Sequence, residues 1–248
     1  MKVINYQKTL AADLQHIAAS DRHPANTHFH FSFASYYDPA NMNYGALRVL
    51  NDDHVKPHSG FGTHPHSEME IVSYVVDGQL THRDSTGNHE VLGRGDVQII
   101  SAGTGVLHSE QNEQNDWCRF LQIWIPPDTR KLPVRYENHR FISSDRKNKL
   151  LPIVTGSNSK NDAPLHINQD INIYVSELTA PKANVTYELC EGRQAYVYCI
   201  EGEVEISEVT SLDTRDVLKV SGPASLEFKL TSETAHFIII EMAADPEN

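Results

Sequence analysis

The segment GFGTHPHSEMEIVSYVVDG carries His64 and His66 two residues apart, with Glu70 four residues further on. On a strand, residues i and i+2 point to the same face with Cα atoms roughly 7 Å apart. Both imidazoles can then turn toward one ion lying ~2.1 Å from each nitrogen. Further along, AGTGVLHSEQN repeats the spacing with His108 and Glu110. Two strands, each donating a pair, are expected to grip one metal from opposite sides of a barrel. Such a set has three nitrogens and one carboxylate oxygen, leaving two positions of an octahedron open. It suits Fe(II), Mn, Ni, Co or Cu, with Zn a further candidate, and the open positions are where substrate and dioxygen would bind.

A single histidine in a strand is usually solvated or core, and only the pairing lifts these residues above that reading. Their distribution points the same way, because twelve of the fourteen histidines fall at or before His139. Gly103 and Gly105 are expected to make the turn that steers His108 inward. His82 is expected on the surface of a strand, or behind the ligands. His54, His58 and His89 sit in polar turns with no expected role.

Strands must position these side chains. Short segments rich in β-branched and aromatic residues recur along the chain, among them MEIVSYVV, VQIISA, FLQIWI, INIYVSEL, YVYCI and AHFIIIEM, with turn signals such as Asp77-Gly78 and Glu201-Gly202 between them. An all-β sandwich or barrel architecture follows. LAADLQHIAAS and RKNKLLPI are the only helix candidates.

A repeat adds a second level. VSYVVDGQL (72–80) aligns with YVYCIEGEV (196–204), placing Gly78 on Gly202, and GDVQII (95–100) resembles RDVLKV (215–220). Two copies of one barrel are expected, as domains 1–143 and 144–248, with the boundary in the polar stretch 143–172 that contains TGSNSKNDAP. In the second copy His64 falls on Glu188, His66 on Cys190 and Glu70 on Gln194, and His236 has no carboxylate two residues on. That half is expected to hold no metal, with Cys190 and Cys199 buried in strands.

Composition excludes other classes. With 21 Lys+Arg against 33 Asp+Glu the net charge is −12, which repels phosphate backbones, so direct nucleic-acid binding is not expected. No apolar run approaches the ~20 residues of a membrane helix, and the start of the chain lacks a signal-peptide core. Three cysteines without paired spacing fit a reducing cytoplasmic setting.

These motifs resemble those of the cupin superfamily, a His-x-His followed by Glu, a Gly-Asp turn and a later His. In detail HFSFASYYDP, LRVLNDD, GFGTHPHSEMEIVSYVVDGQLTHRDS, DVQIISAGTGVLHSE and AYVYCIEGEVEI resemble the pirin family, densely over residues 27–141 and more thinly to the end. LRVLNDD followed by GFGTHPH is most similar to bacterial pirins described as quercetinases.

The resemblance implies a bicupin whose N-terminal barrel binds one metal, usually iron, through His64, His66, His108 and Glu110. A general cupin would use Glu70 in place of Glu110, but five protein ligands would leave only one open position. It further implies a dioxygenase that opens a flavonol such as quercetin with dioxygen, with Glu110 or Glu70 taking the hydroxyl proton. The same family implies a rival role, a redox-sensitive co-regulator that binds a protein partner. Phe29, Phe31, Phe33 and Trp124 are expected to line an apolar mouth.

Overall fold

The computed structural model describes residues 5–21, 23–157, 159 and 162–244, so part of TGSNSKNDAP lies outside the described residues. Strands dominate them, as the periodicity predicts, and no helix among them is long and apolar enough to cross a membrane. The chain divides into two compact units.

The first unit spans Gln15–Phe141 together with Ile167–Gln169. Its seven-stranded antiparallel sheet runs, in spatial order, Arg135–His139, Val97–Ser101, Glu70–Asp77, Cys118–Ile125, Val49–Val55, Ala25–Phe29 and Gln15–Ile17. A four-stranded antiparallel sheet, ordered Ser59–His66, Val106–Asn112, Leu80–Asp84 and His89–Leu92, completes it. Ala25, Val55, Val75, Leu80, Leu92, Cys118 and Phe120 form one buried cluster drawn from both sheets. Burial of each large apolar side chain there stabilises by roughly 1.5–3 kcal/mol.

The second unit comprises the described residues of 1–14, 142–166 and 170–248. Described residues up to Leu14 thus group with the C-terminal part of the chain. Asn5–Thr9 pairs with Val217–Ser221, extending the nine-stranded sheet of this unit. Conversely, Asn168 and Gln169 bond back to the first unit, at Asp128 and Pro126.

The repeat is visible in the pairing. Val97–Ser101 lies beside Glu70–Asp77, and Val217–Ser221 lies beside Arg193–Ile206. The aligned glycines adopt the same left-handed backbone, φ 74° at Gly78 and 76° at Gly202. A Cβ would lie 2.5 Å from the Trp117 carbonyl oxygen at Gly78 and 1.8 Å from that of Thr234 at Gly202. Only glycine satisfies both constraints at once.

Both helix expectations need correction. LAADLQHIAAS contains only a short 3-10 turn, Ala11–Asp13, and then the strand Gln15–Ile17, because pairing with Thr27–Phe29 outweighs the marginal propensity of so short a helix. RKNKLLPI begins at the last residue of the single turn Ser143–Arg146 and ends in the strand Leu151–Thr155; a continuous helix would place Pro152 in its interior. Cys199 is buried in its strand as expected, whereas Cys190 is exposed and outside any strand.

Candidate metal centre

The strands Ser59–His66 and Val106–Asn112 are immediate antiparallel neighbours, with His108 directly opposite His64. The two motifs therefore lie on adjacent strands of one sheet and not on opposite sides of a barrel. Sequence spacing predicts which side chains share a face but not which strands are neighbours. Val106–Asn112 alternates strictly, with His108 and Glu110 buried on one face. Its pairing to Leu80–Asp84 is regular, whereas on the other side the register steps from His64 to Phe61. The extra residue is thus in Ser59–His66, at Gly62–Thr63.

That irregularity orients a ligand. His64 Nδ1 lies 2.7 Å from the Gly62 carbonyl oxygen. Only an N–H can serve there, so Nδ1 donates and Nε2 keeps its lone pair. His64 Nε2 faces His108 Nε2 at 3.1 Å. Two nitrogens each ~2.1 Å from one ion and at right angles would lie ~3.0 Å apart. His66 Nε2 is buried with no hydrogen-bond partner. An orphaned lone pair is costly unless something accepts it, and a cation does. Ligand atoms of all three imidazoles lie within 4.8 Å of one another, and the edge-on Trp124 ring, 4.7 Å from His66, backs the group. The residues fit a divalent metal.

Burial favours the neutral form of His66 and His108. Burial, with His108 and His64 nearby, lowers the His66 pKa to about 4 against a small opposing pull from Glu110. Burial, with His64 and His82, lowers His108 to about 3, partly opposed by Asp84. A histidine held below its unfolded pKa takes up protons in the unfolded chain first. Metal-free protein should therefore lose stability as pH falls from about 6.5 toward these values. Urea titrations at several pH values check this; His108→Gln should flatten the slope, and an unchanged slope would contradict the assignment.

Glu110 does not join the three-histidine group. Its carboxylate accepts hydrogen bonds from Ser73 Oγ at 2.8 Å, Gln98 Nε2 at 2.7 Å and Gln122 Nε2. These donors form one cross-strand row, since Gln98 opposes Ser73, Ser73 opposes Gln122, and Gln122 opposes Asn51. Tyr136 Oη donates to Gln98 Oε1 at 3.2 Å and so sets the amide's orientation.

Glu70 has its own hydrogen-bond partners. Its side chain accepts from Ser101 Oγ at 2.7 Å and Asn168 Nδ2 at 3.1 Å, a tie to the segment that returns from the linker. His66 ends one strand and Glu70 begins another in the other sheet. Alternation, which holds only within one strand, therefore does not relate the facing of Glu70 to that of His66.

A cavity of about 290 Å³ opens beside the histidines, lined by Phe33, Phe61, Trp124, Asn51, Gln122 and, at its polar end, Asp53, Glu110 and His64. Of the expected mouth, Phe33 and Trp124 line it and meet edge to face at 5.1 Å, whereas Phe29 and Phe31 are core. His82 is fully buried, not on a surface; it stacks on Tyr136 at 4.4 Å and lies 3.1 Å from an Asp84 oxygen. Gly103 takes a left-handed φ of 42°, and a Cβ there would lie 2.0 Å from the Leu132 carbonyl oxygen, which supports its expected turn role. Asn51, Asp53, Phe61 and Gln122 escaped the sequence reading. The available signal was two polar residues at i, i+2 in VLNDDHV, a strand otherwise fit for the core.

The second unit holds another group. Glu177, His236 and Glu201 lie side by side on three neighbouring strands, with ligand atoms within 4.8 Å. The carboxylates reach His236 across strands, where an i+2 search cannot find them. His236 Nδ1 lies 3.4 Å from Glu201, and buried Arg146 pairs with Glu177 at 3.3 Å. A guanidinium already balances this cluster, which reads as an ion-pair network.

A family model described as Pirin matches residues 12–125, and one described as quercetinase C-terminal cupin domain matches residues 154–242. A pirin-like protein of Caulobacter vibrioides is 40% identical over 214 residues, covering 86% of this chain and 90% of that protein. The chain belongs to the pirin family. Among other pirin relatives, a quercetin 2,3-dioxygenase of Escherichia coli is 37% identical over 205 residues, covering 82% of this chain and 86% of that protein. The crystal structure of the bacterial pirin YhhW from Escherichia coli in complex with nickel(II) superposes with a TM-score of 0.86 at 29% identity, covering 97% of this chain and 100% of that one. Both units are thus cupin-type domains of a nearly all-β pirin, and a divalent metal centre in the first is supported by the nickel-bound neighbour and the histidine cluster.

Proposed function

We propose that this pirin is a metal-dependent dioxygenase that opens the central ring of a flavonol such as quercetin, with Fe(II) the first choice of metal and His64, His66, His108 and Glu110 its ligands. The observation that carries the reading is a close cluster of three imidazoles, one of which, His64, lines an aromatic-walled cavity. The name of the Escherichia coli relative, and the quercetinase description of the second domain, support the substrate class.

A bound metal would supply a Lewis acid that stabilises a substrate oxyanion and a position for dioxygen. The protein's part is positional and electrostatic. Phe33, Phe61 and Trp124 offer ring faces and edges to a planar phenolic ligand. At about 290 Å³ the cavity is at the small end for ligand sites, so it takes part of a flavonol and leaves the rest toward solvent. Glu110 is held in place by Ser73, Gln98 and Gln122. Dioxygen is the co-substrate and carbon monoxide a product. Three free thiols fit a reducing cytoplasmic setting, and the net charge of −12 argues against direct nucleic-acid binding.

Metal-reconstituted protein should consume dioxygen and release carbon monoxide with at least one member of a flavonol panel. Fully loaded protein inert toward every flavonol and catechol would move the reading to a regulator that binds a protein partner.

A further inference from the structure

We propose that Asp53 accepts the hydroxyl proton of the phenolic ligand, and that Thr27 and His23 hold its carboxylate in position to do so. The proposal rests on the dioxygenase reading for its ligand class alone.

Asp53 lies on Val49–Val55, is 3% exposed, and lines the cavity together with His64 and Glu110. Its neighbour Asp52 points to the other face and is used up in a two-point pair with Arg119, at 2.8 and 2.6 Å. Asp53 has no such cation. Thr27 Oγ donates to Asp53 Oδ1. Among the described residues no hydrogen-bond donor meets Oδ2 of this cavity-lining side chain.

The orientation is fixed from behind. His23 Nε2 lies 2.9 Å from Thr27 Oγ. Since the single hydroxyl proton of Thr27 is directed at Asp53, His23 Nε2 must be protonated and donate to Thr27. The resulting chain, His23 to Thr27 to Asp53, commits Oδ1 as an acceptor and aims Oδ2 at the ligand. Thr27 is fully buried and His23 partly exposed, so the chain runs from Asp53 toward the surface at His23.

The other two carboxylates are less suited. Glu110 has both oxygens engaged by Gln98, Gln122 and Ser73, and Glu70 has both engaged by Ser101 and Asn168. Burial pushes the Asp53 carboxyl up to about 7; the Thr27 hydrogen bond opposes this, and the charges of Asp52 and Glu110 add to it. The step balances simply. The ligand O–H bond breaks, an O–H bond forms at Asp53 Oδ2, and the phenolate keeps the electron pair.

Anaerobic stopped-flow absorbance with quercetin and nickel-loaded protein reads this step without turnover, because the ionised 3-hydroxyl absorbs at longer wavelength. Wild-type protein should ionise bound quercetin rapidly. Asp53→Asn keeps the shape and the Thr27 hydrogen bond, and should bind metal and quercetin while ionisation slows about 10²- to 10⁴-fold. Thr27→Val should slow it partially and Thr27→Ser should restore it, a rescue that general loss of packing would not produce. An Asp53→Asn variant that ionises quercetin at the wild-type rate overturns the proposal and leaves the dioxygenase reading intact. Wild type that ionises quercetin but consumes no dioxygen overturns that reading and leaves the proton transfer standing. Wild type that does not bind quercetin overturns both.

Discussion

Replacing His66 with alanine is expected to reduce flavonol-dependent oxygen uptake by more than about 100-fold, since even outer contacts of a metal site cost 10- to 100-fold when removed. The reason is local. His66 Nε2 is buried without any partner, so its lone pair has no structural duty that another residue shares. Its ring meets His64, His108 and Trp124 within 5 Å, at 4.7, 4.9 and 4.7 Å, so truncation leaves a small gap in the group. A modest loss of about 1 kcal/mol in stability should accompany it, well short of unfolding. Circular dichroism and oxygen uptake together check the claim. A folded variant that keeps most of its turnover would show that the reaction does not use these histidines.

The second large effect separates the two glutamates. Glu110→Gln should lower metal retention by about 10- to 100-fold or more, because the only anionic member of the proposed ligand set is lost. The hydrogen bonds magnify this. Gln98 and Gln122 both point N–H groups at Glu110, and a glutamine there would set its own N–H₂ against one of them. A buried donor left without an acceptor costs about 1–3 kcal/mol. Glu70→Gln should keep the metal, since Ser101 and Asn168 hold that side chain away from the histidines, and its main effect should be on stability. Dialysis against a mild chelator, followed by metal determination, distinguishes them. An empty Glu70 variant beside a full Glu110 variant would reverse the assignment.

Much of this architecture is readable from residue spacing. The i, i+2 pairs at His64/His66 and His108/Glu110, the strand periodicity and the duplicated Asp-Gly and Glu-Gly turns are local signals, and local signals survive folding when one face of a strand is buried. What escaped was register. Alternation does not reveal that His108 opposes His64, nor that Ser73, Gln98 and Gln122 come into line beneath Glu110. The same limit hid the cross-strand meeting of Glu177, His236 and Glu201. Asp53 was missed for a related reason. Beside Asp52 it reads as half of an acidic pair, and only the structure shows one carboxylate tied to Arg119 and the other facing a cavity. Asn5–Thr9 joined the second unit through pairing with Val217–Ser221, a long-range contact without a sequence signature.

Metal content per chain tests the central claim most directly, namely that the first unit holds the one metal centre. Wild-type protein reconstituted and freed of excess metal should carry close to one ion per chain. His66→Ala should carry almost none, and His236→Ala and Cys190→Ser should match wild type. Two ions in the wild type, or loss of the ion from the His236 variant with the His66 variant still loaded, would contradict it.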